Sequence, residues 1–176
     1  SQYTLKLVAP ESVSMSYSNV LIPTDGSEQA ANAVEEGIEL AAAVGATVHA
    51  LYVVDEFEAK IVPITGDEEA KREEYVAYGE RITGEVADAA AEAGVETVTA
   101  VETGIAHTEI EQYARDNDID LVVIGSRGLG GVEELLLGST ADKVIRLIDV
   151  PVTVVYNRPT GTKEWMLPSA ADTIHR

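Results

Sequence analysis

No cysteine occurs among the 176 residues. That excludes disulfides, thiolate nucleophiles and cysteine-type zinc sites, and it fits a reducing, cytoplasmic setting. Aromatic residues are scarce, with one Phe and one Trp, so a core has to rest on Val, Ile, Leu and Ala. Cations are few as well: 12 Lys and Arg stand against 31 Asp and Glu, for a net charge of −19 spread along the chain. Such a surface is repelled by nucleic acid and by anionic membranes, because phosphate contacts need cations. It is at the least a highly solvated surface. It also suits a halophilic, salty cytoplasm, where screening over a few Å makes dense carboxylates tolerable. No apolar run approaches the ~18–20 residues of a membrane span, and the first residues do not read as a signal peptide.

The 45% of residues that are apolar suffice for one core, and the length suits one domain. Residues 1–16 match no periodic template. They are expected to be a disordered extension or a vector-derived stretch ahead of a natural start at Met15. From Tyr17 the pattern sharpens. Asn19 to Pro23 is a short apolar run stopped by Thr24-Asp25-Gly26, a buried strand and a turn. Ser27 can cap a helix through Val44 with Ala30, Val34, Ile38 and Ala41 on one face, and Gly45 suits its left-handed end.

The unit then recurs. Thr47 to Val54 is rich in β-branched residues and reads as a strand. A long helix is expected from Asp67 to Ala93, closed by Gly94. Val95 to Val101 reads as a strand with one wet face, followed by a helix from His107 to Asn117. Ile119 to Ile124 is nearly all apolar, the mark of a central parallel strand covered on both faces. A helix from Ser139 to Leu147 and a last strand from Val150 to Tyr156 complete the domain, 17–156, with 157–176 as a C-terminal tail. Strands alternating with helices imply an α/β fold, a single-domain open parallel five-stranded sheet with helices on both faces. Ligands of such sheets bind beyond the carboxyl ends of the strands, where strand order reverses.

The richest segment follows the fourth strand. Gly125-Ser126-Arg127-Gly128-Leu129-Gly130-Gly131 puts four glycines in seven residues, and Gly138-Ser139-Thr140 opens the next helix. Glycines let backbone N–H groups approach an anion, a helix N-terminus adds donors and a positive dipole end, and Arg127 adds a cation. Together these make a phosphate cradle. The alternative is that the glycines only make a flexible connection and Ser139 caps the helix. No Gly-Lys-Ser or Gly-Lys-Thr is present, so this is not a Walker A loop, and the Rossmann fingerprint is missing from the first turn. Asp25 suits hydroxyl or amine donors, or else sets the turn.

The spacing Gly125-x2-Gly128-x9-Gly138-Ser139 matches G-x2-G-x9-G-(S/T), and here the chain resembles the ATP-binding branch of the universal stress protein family. Val20 to Ser27, Tyr52 to Asp55, Gly104 to His107, and Leu136 through Val152 are similar to the family's pattern, so the likeness covers Tyr17 to Tyr156. It implies a Rossmann-like, adenine nucleotide alpha-hydrolase-like fold. It also implies that Pro23, Thr24, Asp25 and the Val53 backbone lie beside adenine and ribose, with Gly125 near the ribose. Ser126, Arg127, Gly128, Gly130, Gly138, Ser139 and Thr140 would hold the triphosphate of ATP, with Mg²⁺ bridging phosphate oxygens. A homodimer through Pro151 to Tyr156 is implied too, along with an unknown protein partner.

Other features carry less. His49 is expected to be packed or at an edge, and His107 lies near a helix start. No His-x-x-x-His or His-x-Gly-His spacing occurs to support zinc or nucleotidyl-transfer chemistry. Tyr75 and Tyr78, three apart on the long helix, are expected to pack together. The function expected is nucleotide-dependent stress response or signalling, with slow hydrolysis or none. A nucleotide-free interaction module and a slow ATPase or adenylating enzyme are the alternatives.

Overall fold

A computed structural model of the protein describes residues 16–56, 66–127 and 137–156. Gly128, Gly130, and the expectations for residues 1–15 and 157–176, lie outside the described residues. The elements alternate: β1 (Asn19–Pro23), α1 (Glu28–Val44), β2 (Thr47–Val54), α2 (Glu68–Glu92), β3 (Thr97–Thr103), α3 (Ala106–Asp116), β4 (Leu121–Gly125), α4 (Ser139–Leu147) and β5 (Val152–Val155). The strands form one parallel five-stranded sheet in the order β3-β2-β1-β4-β5.

Side chains of successive strand residues point to opposite faces, and the central strands show it. Val20 and Ile22 of β1 and Leu121 and Val123 of β4 pack with Ile38 and Ala41 of α1 and Val86 and Ala90 of α2. Leu21, Val122 and Ile124 pack on the other face with Ile110 and Tyr113 of α3 and Ala141 and Val144 of α4. Every residue of β4 is buried, which is why its sequence shows no polar alternation. The helices therefore cover both faces, as expected.

Local chemistry sets the helix ends. Ser27 Oγ accepts from the Ala30 N–H at 3.1 Å, a cap worth about 1 kcal/mol. Gly45 (φ 72°), Gly94 (φ 72°) and Asp118 (φ 51°) each follow a helix in the left-handed region. After each, an N–H reaches back five residues: Ala46 to Ala41, Val95 to Ala90 and Ile119 to Ala114, at 2.9–3.1 Å. This closure satisfies carbonyls the helix leaves open. It also uses the amides of Val95 and Ile119, so β3 and β4 begin at Thr97 and Leu121, two residues later than expected. The alternation expected of β3 fails as well. Val98, at the sheet's edge, is 44% exposed. No described helix is long and apolar enough to cross a membrane.

Candidate functional site

The strand order reverses at β1, which has β2 on one side and β4 on the other. From β1 the chain passes to α1 on one face, and from β4 to α4 on the opposite face. The two loops thus flank one crevice at the carboxyl edge, the place where parallel α/β sheets bind ligands.

Pro23 ends β1 and is buried. The Thr24 N–H donates to the Leu51 carbonyl at 2.9 Å, tying the turn to β2. Thr24 Oγ1 then accepts from the Gly26 N–H at 3.2 Å, and Asp25 Oδ1 accepts from the Ser27 N–H at 2.9 Å. Asp25 therefore sets the turn, as an Asx residue can. Gly26 takes φ +76°, which a side chain would resist.

Gly125 ends β4 against Val155 of β5. A Cβ there would stand 3.3 Å from the Arg127 carbonyl and 3.4 Å from the Gln29 carbonyl of α1. The β4 loop and the first turn of α1 thus touch backbone to backbone, which only a glycine accommodates without displacement. Ser126 is 3% exposed. Its N–H donates to the Val155 carbonyl at 2.9 Å, and its own carbonyl accepts from the Gly138 N–H at 2.6 Å. That last bond sews the beginning of the glycine-rich loop to its end. Arg127 is half-buried beside it.

The cap of α4 differs from the Ser139 alternative. The N-cap is Gly138, with no side-chain capping bond, and Ser139 is the first helical residue. Ser139 is exposed and Thr140 half-buried. The first amides of α4 thus face the crevice edge without a side-chain oxygen closing them, and first-turn N–H groups have no intrahelical acceptor. Val53, half-buried near the end of β2, packs on the α3 face.

Two residues at this edge escape sequence reading. The α3 N-cap is Ile105, which has no side-chain oxygen to offer, and Asp55 Oδ2 accepts from the Ala106 N–H at 3.1 Å instead. An apolar N-cap is the signal that a cap comes from another element. The second is Tyr78, whose ring partner is Tyr52, at 5.5 Å between centroids and 66°, and not Tyr75 as expected. The ring of buried Tyr52, on β2, takes the edge contact with Tyr78 instead. Burial foremost, then Tyr78, Tyr75 and Asp25, push the Tyr52 phenol up to about 12. His49 is packed, as expected, at 7% exposure. Among the described residues, no group of three or more His, Cys, Asp or Glu could hold a metal ion.

The model of the universal stress protein family matches residues 16–156. The chain is 36% identical over 139 residues to universal stress protein MJ0531 of Methanocaldococcus jannaschii, covering 79% of this chain and 82% of that protein. The chain belongs to the universal stress protein family. Universal stress protein YxiE of Bacillus subtilis is 32% identical, covering 79% and 99%. Among solved structures, that of MJ0577 superposes with a TM-score of 0.74 at 28% identity, covering 82% of this chain and 99% of that one. A universal stress protein solved in complex with cAMP superposes with a TM-score of 0.59 at 25% identity, covering 80% and 98%. The family resemblance and its Rossmann-like fold therefore hold.

Proposed function

We propose that this universal stress protein binds ATP at the crevice between the β1 and β4 loops and acts as a nucleotide-dependent stress-response module, with slow hydrolysis or none. The observation that carries this is the Ser126–Gly138 bond, which brings the uncapped first turn of α4 beside the end of β4. The first-turn amides of α4 have no side-chain cap, and a helix N-terminus with its positive dipole end suits an anion. The close approach at Gly125, where a Cβ would crowd two carbonyls, supports a loop built for backbone contact.

In this proposal Pro23, Thr24, Asp25 and the Val53 backbone take adenine and ribose, and Gly125 approaches the ribose. Ser126, Arg127, Gly138, Ser139 and Thr140 take the phosphates, with Gly128 and Gly130 contributing from outside the described residues. Mg²⁺ would neutralise phosphate charge. With no ready cluster of acidic or imidazole ligands among the described residues, it would be held chiefly by phosphate oxygens and water. The cAMP-bound relative supports an adenine nucleotide.

The edge strand β5 is the proposed homodimer surface. Ile145 and Leu147 of α4 and Tyr156 are 41–56% exposed on the segment leading into and out of it.

The test is the ligand content of the purified protein, read by ion-pair chromatography after denaturation, followed by calorimetry with Mg·ATP. Near-stoichiometric adenine nucleotide, or a calorimetric titration in which ATP outcompetes AMP, is the expected result. An empty protein that ignores Mg·ATP sinks the proposal, and turnover of many per second would make it an enzyme.

A further inference from the structure

The turn between β1 and α1 is gripped from a third element. Tyr78 Oη on α2 donates to the Asp25 carbonyl at 3.3 Å. The Tyr78 ring stands edge-on to buried Tyr52 of β2, and the Arg81 guanidinium lies 5.1 Å from the ring centroid. Its hydroxyl is therefore aimed by packing on more than one side. Two glycines make the approach geometrically available. A Cβ on Gly26 would lie 2.5 Å from Tyr78 Oη and 2.8 Å from Ile82 Cδ1, and one on Gly79 would lie 2.4 Å from the Tyr52 ring.

Behind the same turn there is room. An open recess of about 170 Å³ beside it is lined by Thr24, Gly26, Ser27, Val34, Ile82 and Val86. Protein interiors hold their parts in place by close packing, and here packing is incomplete on one side. A turn backed by a recess depends more heavily on its hydrogen bonds for its position. The bond from Tyr78 reaches the turn from α2.

We propose that Tyr78 is a positioning residue for the site: its hydroxyl holds the Thr24–Ser27 turn in place from α2, so that the turn is preset for the adenine nucleotide. This rests on the nucleotide reading above and deepens it. Presetting matters because ordering a loop on binding subtracts from affinity.

Tyr78→Phe keeps the ring against Tyr52 and removes only the hydroxyl. Amide hydrogen exchange is measured without ligand on both proteins, and AMP affinity is measured by calorimetry. In Tyr78→Phe the Gly26 and Ser27 amides should exchange about three- to tenfold faster, the range one hydrogen bond supports. The Ser126 and Gly138 amides of the other loop should keep their rates, and AMP should bind about three- to tenfold more weakly. Unchanged exchange at Gly26 and Ser27 overturns the inference. So does equal acceleration at Ser126 and Gly138, which would mean general loosening, and so does faster exchange with AMP affinity intact. Should the parent protein bind neither AMP nor ATP, the nucleotide reading falls and with it the link to ligand, while the exchange data still decide whether Tyr78 sets the turn.

Discussion

At Gly79 the α2 backbone passes so close to β2 that a single methyl would stand 2.4 Å from the Tyr52 ring. Two effects of opposite sign meet at this position. Alanine raises helix propensity by about 1 kcal/mol over glycine. Forcing an extra carbon into a packed contact costs about 1–3 kcal/mol, and Tyr52 is only 7% exposed, so its ring has little space to yield. Gly79→Ala should therefore destabilise the protein by about 1–2 kcal/mol in urea unfolding; a variant more stable than its parent would show that the ring can swing aside. Gly138 presents the opposite case. Its φ of −60° is open to any residue, so no backbone strain demands glycine there.

Among elements, a chain of side-chain hydrogen bonds joins β1, β2 and α3. The Asn19 Nδ2 donates to the Asp118 carbonyl at 3.3 Å, which leaves Asn19 Oδ1 to accept from His49 Nε2–H at 3.3 Å. Nδ1 of His49 is then the acceptor for the Tyr113 hydroxyl at 3.0 Å. This assignment follows from the donor and acceptor inventory. Burial holds the imidazole below its ordinary value of 6.5. The folded state thus binds its proton less readily than the unfolded state, so the stabilisation is present above pH 6.5 and is lost as pH falls through the folded value. Stability measured by urea unfolding should decline as pH falls below 6.5, and His49→Gln should flatten that decline. An unchanged slope in the variant would assign the decline to carboxylates instead.

For the whole molecule, charge and association oppose one another. Each copy carries −19, so the proposed dimer, two copies joined through β5, would bring like charges together. Salt shortens the reach of that repulsion to about 8 Å at physiological ionic strength and about 3 Å at 1 M. Apolar contact through Ile145, Leu147 and Tyr156 is not weakened by salt in the same way. Light scattering coupled to size exclusion should therefore give a dimer mass in high KCl and partial dissociation in dilute buffer. A monomer mass at micromolar concentration in every salt would remove β5 as the dimer surface.

The amino-acid sequence by itself determined the succession of elements and the place of the glycine-rich loop. β2 and α4 run over the residues read from periodicity, and Ser27, Gly45 and Gly94 end their helices as read. These are contacts within about five residues along the chain, so the local sequence contains both partners. The likeness over residues 16–156 is legible there for the same reason, since the spaced glycines lie in one segment. Tertiary structure alone decided the strand order β3-β2-β1-β4-β5, and with it that the turn at Asp25 faces the loop at Gly125. It also decided that Asp55 caps α3 across 51 residues, and that Tyr78 meets Tyr52 and the Asp25 carbonyl rather than Tyr75. Each of these depends on which surfaces are buried together. No period or spacing records that choice, because it is made by packing between segments far apart in the chain.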